Sequence, residues 1–256
     1  MGLFDKKYCS ICNEKIGLLG NRKLEDGNLC KNCANKLSEF FSDRRRSTVQ
    51  DIKEQLDYRE ENKNAVAQFR VTRTYGSDTK ILLDEDKKQF VVTRSKNLID
   101  ANPDVLDYSM VTGVDINIDE DADEEKRRDA QGNYVSYNPP RYNWDYDFEL
   151  IIHVNHKYFD TISVQLNPSS VRINDTAVPE FQKPVAEYNR EFKQYSDMCK
   201  EIKDALLGAR QQARDEIEAQ RAAASAAPSV VHCPYCGANT TPDRSGCCEY
   251  CGSPIL

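Results

Sequence analysis

The chain has 256 residues, a formal net charge of −7 and ten cysteines, and its mean hydropathy is −0.72. No apolar stretch approaches the ~18 residues of a membrane-spanning helix, and no secretory signal precedes the first cysteine, so we expect a soluble, cytoplasmic protein. An isoelectric point near 5.2 argues against a large positively charged surface that would bind nucleic acid.

The first predicted module, residues 1–45, carries two Cys-x-x-Cys pairs. They are Cys9, Cys12, Cys30 and Cys33. Two such turns can place four sulfurs around one tetrahedral ion. Asn13 suits the left-handed conformation after the first pair, Asp26-Gly27 predicts a hairpin turn, and the second pair opens a predicted helix that runs toward Phe41. This order predicts a small treble-clef-like zinc domain.

A connecting helix is predicted over residues 46–65, with a capping box that starts at Ser47. Alternating apolar residues then predict six or so antiparallel strands over residues 66–182. The clearest row is Tyr146, Phe148, Leu150, Ile152 and Val154. Such strands before a long helix predict a small barrel or bent sheet that the helix covers.

Seven acidic residues lie between Asp115 and Glu125. We predict that the polar segment through Pro140 is a long mobile connection between strands; the alternative is an acidic docking loop for a basic partner. An EF-hand is excluded because its glycine and its bidentate glutamate are missing. His153 and His156 are predicted to be surface residues instead of a metal pair, since no cysteine is near them.

A long helix is predicted over residues 183–221, because apolar residues recur at gaps of three and four. They are Val185, Tyr188, Phe192, Tyr195, Cys199, Ile202, Leu206, Ala209 and Ala213. We expect the first half to pack on the β-domain, with Cys199 as a core thiol. The sequence leaves open whether the second half of this helix, from Leu206 onward, self-associates through the 185–213 seam. Residues 222–231 are rich in Ala and Ser and predict a linker.

The last predicted module, residues 232–256, repeats the cysteine spacing. Its pairs are Cys233, Cys236, Cys248 and Cys251. Gly237 and Gly252 follow the pairs and allow positive φ, which is typical of a zinc ribbon. Cys247 is predicted to be a free thiol, and His232 a solvated neighbour.

These eight thiols predict two structural zinc ions per chain. Disulfides are not expected, because without an export signal the compartment keeps thiols reduced. Iron in a rubredoxin-like site remains open, since four tetrahedral sulfurs suit both metals.

The opening motif, from Tyr8-Cys9-Ser-Ile-Cys12 to Asn28-Leu29-Cys30, resembles an uncharacterised bacterial family with a zinc-binding domain of unknown function. The middle is similar in pattern to pleckstrin-homology (PH) or GRAM-like β-domains. The expected architecture is therefore an α+β multidomain chain: a treble-clef-like domain, an antiparallel PH-like domain with a long C-terminal helix, and a zinc ribbon. The resemblance implies no catalysis.

The sequence contains no nucleophile elbow, phosphate-binding glycine loop, His-Glu-x-x-His motif or three-ligand zinc motif. We therefore expect no enzyme, but an adaptor or scaffold that binds an unknown protein, with peripheral membrane contact left open. The alternatives are a nucleic-acid-binding zinc ribbon protein and an iron electron-transfer protein.

Overall fold

The computed structural model describes six stretches of the chain: residues 6–17, 19–41, 43–174, 185–225, 230–243 and 245–255. They form a mixed α/β structure with antiparallel sheets and a long C-terminal helix. Two compact units divide at residue 211, Met1–Gln211 and Gln212–Leu256. The predicted boundary at 182 and linker positions 226–229 lie outside the described residues.

Two short hairpins and one helical turn build the N-terminal part. They are β1 (Lys7–Tyr8), β2 (Lys15–Ile16), β3 (Arg22–Lys23), β4 (Asn28–Leu29) and α1 (Lys31–Ala34). The predicted turn at Asp26-Gly27 does connect β3 to β4. The predicted helix toward Phe41 is wrong, because α1 ends at Ala34. After Ala34 the backbone forms turns in which an N–H donates to the carbonyl three residues earlier, as Leu37 does to Ala34. These turns bury Leu37 and Phe41.

Helix α2 spans Val49–Gln68, three residues later at each end than the predicted 46–65, and its N-cap is Thr48 instead of Ser47. Its capping box uses Thr48 and Asp51: each side chain accepts from the other residue's backbone N–H. The Asp26 carboxylate adds a third bond, accepting from the Val49 N–H at 2.7 Å. The hairpin turn of the N-terminal part therefore caps α2.

The middle of the buried face of α2 is polar. Arg59 donates to the Asp104 carboxylate at 2.8 Å and to the Asn102 carbonyl. Asn62 bonds the Asn102 side chain and the Pro103 carbonyl, both at 2.8 Å. Asn102 itself is left-handed, with φ 48°. These bonds fix α2 against a loop that lies some forty residues further along the chain.

The first large sheet is an antiparallel meander. Its strands are β5 (Arg73–Tyr75), β6 (Lys80–Asp84), β7 (Gln89–Thr93) and β8 (Leu106–Asp107), with the short helix α3 (Leu98–Ala101) before β8. Strands β6 and β7 form a hairpin in which Ile81 pairs with Val92 and Leu83 with Phe90. At Gly76, φ is +80° and an added Cβ would lie 2.2 Å from the Thr79 carbonyl oxygen, so only glycine fits this turn.

The second large sheet centres on a long hairpin. Its strands are β9 (Val111–Arg128), β10 (Tyr134–Val154), β11 (Thr161–Gln165) and β12 (Val171–Asn174); β10 pairs with the other three. The prediction of a long mobile connection through Pro140 is wrong. Every acidic residue from 115 to 125 lies in β9, and the chain reverses between Asp129 and Asn133.

The acidic stretch forms a strand because its apolar alternation continues from the core. Ile116 and Ile118 pair with Leu150 and Phe148 of β10. Further out, acidic side chains of the two strands oppose each other on the outer face, including Asp119 with Asp147. Like charges directly opposite destabilise a sheet by a few tenths of a kcal/mol to about 1 kcal/mol, so this hairpin depends on its backbone ladder and its buried base.

Helix α4, Arg190–Ser225, packs its first half on both sheets as predicted. The buried contacts come from Phe192, Cys199, Ile202 and Leu206. The seam does not start at Val185. Val185 and Tyr188 are exposed, because the helix begins only after the Asn189 side chain accepts from the N–H groups of the first turn. Burial raises the pKa of the core thiol Cys199 to about 11.

The second unit holds the end of α4 and a small two-stranded sheet, β13 (Val231–His232) with β14 (Asn239–Thr240). The helix continues to Ser225, four residues into the stretch predicted as a linker. The Ala213 and Ile217 side chains lie outside the described set, so self-association of this half stays a prediction. No helix in the described stretches is long and apolar enough to cross a bilayer.

Candidate metal centres

The N-terminal cluster brings together the four cysteines that the spacing paired. Sulfur atoms of Cys9, Cys12, Cys30 and Cys33 all lie within 4.8 Å of one another. Cys9 and Cys12 sit on the turn between β1 and β2, which closes through the Cys9 N–H to the Glu14 carbonyl and the left-handed Asn13, φ 60°. Cys30 is the N-cap of α1, and Cys33 lies in that helix.

Gly27 brings the two halves of this site close together. An added Cβ there would lie 2.6 Å from both the Ser10 hydroxyl and a Val49 methyl. Its conformation is ordinary, so the requirement is for space and not for a positive φ. The Ser10 N–H bonds the Asn28 carbonyl across the same contact at 2.8 Å. The predicted hairpin glycine thus packs the second hairpin against the first knuckle.

The C-terminal cluster has the same donor set. Cys233, Cys236, Cys248 and Cys251 also lie within 4.8 Å of one another. Its two turns match: Gly237 N–H bonds the Cys233 carbonyl at 2.9 Å, and Gly252 N–H bonds the Cys248 carbonyl at 2.8 Å. Both glycines have the predicted positive φ, 75° and 69°.

Sulfur spacing tests whether zinc fits these clusters. A tetrahedral ion with Zn–S of about 2.3 Å separates its sulfurs by about 3.8 Å. The Sγ–Sγ distances are 3.7 Å for Cys12–Cys30, 3.6 Å for Cys233–Cys251 and 3.7 Å for Cys236–Cys248. A disulfide needs about 2.05 Å, and all ten cysteines are free thiols. Both clusters are therefore compatible with zinc, two ions per chain.

Hydrogen bonds to sulfur favour a thiolate at one cysteine of each cluster. Burial raises the pKa of the Cys9 thiol, but backbone N–H groups, including that of Cys30 at 3.3 Å, outweigh it and lower the pKa to about 6. The hydroxyl and backbone of Ser253 lower the pKa of Cys251 to about 6. Burial raises the pKa of Cys33. One low-pKa thiol in each cluster provides a first thiolate for a metal ion.

Cys247 and His232 are adjacent in sequence to the C-terminal cluster, and both lie outside it, as predicted. Cys247 is outside the C-terminal cluster; its Sγ points to the Ser245 carbonyl at 3.9 Å. His232 bonds the Asn239 side chain at 3.2 Å and is exposed.

The two central histidines fall outside both clusters, but only one is a surface residue. His153 bonds Asp115 at 2.9 Å on the outer sheet face. The surface prediction is wrong for His156, which is half-buried among aromatic rings, 4.1 Å from Phe159. Burial lowers the pKa of His156. Its neighbours come from α2 and from the loop after β10, so no local pattern could reveal this packing.

Comparison with known proteins covers the N-terminal part only. The model of a domain of unknown function, DUF4428, matches residues 7–55, a segment that contains the whole N-terminal cluster and the start of α2. No curated protein and no solved structure matches the chain. The chain thus carries a domain of unknown function at its N-terminus, as the opening motif led us to expect.

Proposed function

We propose that the protein is a non-catalytic, cytoplasmic zinc-binding adaptor of bacterial origin. In this proposal a treble-clef-like module and a zinc ribbon flank a PH-like β-domain, and the chain binds another protein. The observation that carries it is the closed donor set of each cluster. Four sulfurs fill a tetrahedral zinc site and leave no position for a catalytic water. Both ions would then serve folding, which small modules of this kind need.

The central domain supports the same role. Two antiparallel sheets share one core, and α4 packs on both, an arrangement similar to PH-like domains, which commonly serve recognition. This support is an analogy at the level of fold.

Two exposed tyrosines give the adaptor a candidate contact surface. Tyr235 and Tyr250 precede the second cysteine of each ribbon knuckle and are 69% and 73% exposed. Tyrosine is enriched among the residues that dominate binding at protein interfaces. Its ring supplies large contact area at low entropic cost. We expect the partner to cover these rings.

The proposal is tested by crosslinking the protein to its partners in the native host, purifying it, and comparing matched variants. The full chain should retain a specific protein, and Tyr235→Ala/Tyr250→Ala should lose it with both zinc ions still bound. Tyr134→Ala is the control, because Tyr134 is 66% exposed on the β9–β10 hairpin. Capture that does not distinguish these chains, or no specific protein at all, contradicts the adaptor role at this surface.

A further inference from the structure

We propose that zinc at the N-terminal cluster holds the loop between β10 and β11, residues 155–160, against the N-terminal module. The module then works as a metal-dependent clasp on the β-domain. Zinc release opens a surface that the loaded protein keeps closed. This device goes beyond the adaptor role and does not depend on it.

The cysteines belong to a hydrophobic core that extends past their own module. Cys9, Cys30 and Cys33 are buried in one cluster with Phe41 and with Ile52 of α2. Tyr158, from the 155–160 loop, packs against the same cluster. A module this small has too little apolar surface to fold without its metal. Zinc binding therefore determines whether this shared core exists.

Aromatic contacts join the module to the loop. The Phe40 ring lies 5.3 Å from Phe159, and Phe41 lies 6.4 Å from Tyr158 in an edge-on arrangement. Tyr58 of α2 stands 5.5 Å from the same Tyr158. Such ring pairs stabilise the contact beyond the burial of their area. Only six residues separate Cys33 from Phe40, so loss of the metal acts directly on these rings.

Polar contacts bind the same short segment to the domain. The Ser38 hydroxyl donates to Asp104 at 2.7 Å, and Arg59 donates to the Lys36 carbonyl at 3.4 Å. Asp104 is 1% exposed. A segment that supplies both the rings and a buried hydrogen bond cannot move without breaking them together, which makes the contact two-state.

The clasp also closes a groove. A cavity of about 460 Å³ lies between Asp43 and Arg46 on the module side and residues 156–160 on the loop side. Phe159 is one of its lining residues. Opening this seam exposes the rings of Phe40, Phe41, Tyr158 and Phe159 to solvent.

Hydrogen exchange on the full chain tests the clasp directly. After zinc is removed from the N-terminal cluster by Cys30→Ser/Cys33→Ser, peptides covering residues 153–160 should take up deuterium faster. The β6–β7 hairpin, residues 80–93, is the internal reference and should not change. Removal from the other cluster by Cys233→Ser/Cys236→Ser should leave both regions unchanged. Unaltered uptake at 153–160 in a chain that has lost its N-terminal zinc overturns the proposal.

Linkage supplies a second test that leaves the cysteines intact. If zinc binding favours the closed loop, then the closed loop must raise the affinity for zinc by the same factor. In full-length chains carrying Cys233→Ser/Cys236→Ser, competition with a chromophoric chelator measures the N-terminal affinity alone. Phe159→Leu should weaken it about tenfold, within the usual range of coupling between sites.

The control is Phe90→Leu, which removes another core ring, one stacked on Tyr108 at 6.2 Å in the first large sheet. It should leave the zinc affinity unchanged. Equal losses in the two variants mean general destabilisation, and an unchanged affinity in Phe159→Leu means no clasp; either result contradicts the proposal.

Discussion

The ion pair between Arg59 and Asp104 should be among the most sensitive positions of the first unit. The two side chains are 10% and 2% exposed, and the carboxylate accepts from Ser38, Tyr58 and Arg59 at 2.7, 3.1 and 2.8 Å. Asp104→Asn keeps the shape and removes the charge. The guanidinium is then buried without its counter-ion, which typically destabilises by about 3–5 kcal/mol.

Urea unfolding measures this change through Trp144, the single tryptophan of the chain. Trp144 lies in β10 and packs partly buried against the main core, so its fluorescence reports the first unit. The denaturation midpoint should fall sharply with little change in slope. The double variant Arg59→Met/Asp104→Leu removes both charges and should be less destabilised than Asp104→Asn, because no charge is left uncompensated. A loss below 1 kcal/mol in Asp104→Asn, or a double variant worse than the single, refutes the reasoning.

Three further outcomes follow from single sites. Burial lowers the pKa of His156 below its ordinary value near 6.5. Between the lowered pKa and 6.5 the unfolded chain therefore binds a proton that the folded chain does not, so the free energy of unfolding should fall as the pH drops through this range. His156→Phe should flatten this pH dependence. Asp119→Lys should stabilise the hairpin by about 0.2–1 kcal/mol by placing opposite charge across from Asp147; no gain at low salt contradicts the charge argument. The protein should not co-sediment with anionic vesicles at physiological salt, because Arg70 and Arg73 already pair with carboxylates of the β6–β7 turn. Strong co-sedimentation with the vesicles contradicts this prediction.

Local chemistry explains which features the sequence predicted. Cysteine spacing grouped the eight thiols correctly, because a Cys-x-x-Cys turn positions both its sulfurs by itself. Asn13, Gly237 and Gly252 were predicted to be left-handed for a similarly local reason, and all three are. The alternation from Tyr146 to Val154 predicted the second part of β10, because one face of the strand is buried over those residues.

Long-range contacts explain the errors. The acidic run was taken for a loop because its charges resemble solvated coil, whereas the backbone of β10 pairs with it residue by residue. The polar face of α2 had no visible purpose in sequence, because its partners, Asn102 and Asp104, are forty or more residues away. Val185 and Tyr188 fitted a helical period but precede the Asn189 cap. For the acidic run and for α2 the deciding partner lies far along the chain, whereas for Val185 and Tyr188 it is the neighbouring cap residue Asn189.

Metal analysis of the purified full chain, combined with X-ray absorption at the metal edge, tests the central claim most directly. We expect about two zinc ions per chain, each with four sulfur neighbours at about 2.3 Å, and the loss of one ion in each of Cys33→Ser and Cys248→Ser. Iron in place of zinc, a nitrogen or oxygen neighbour at either ion, or disulfides among these eight cysteines would contradict two closed structural zinc sites.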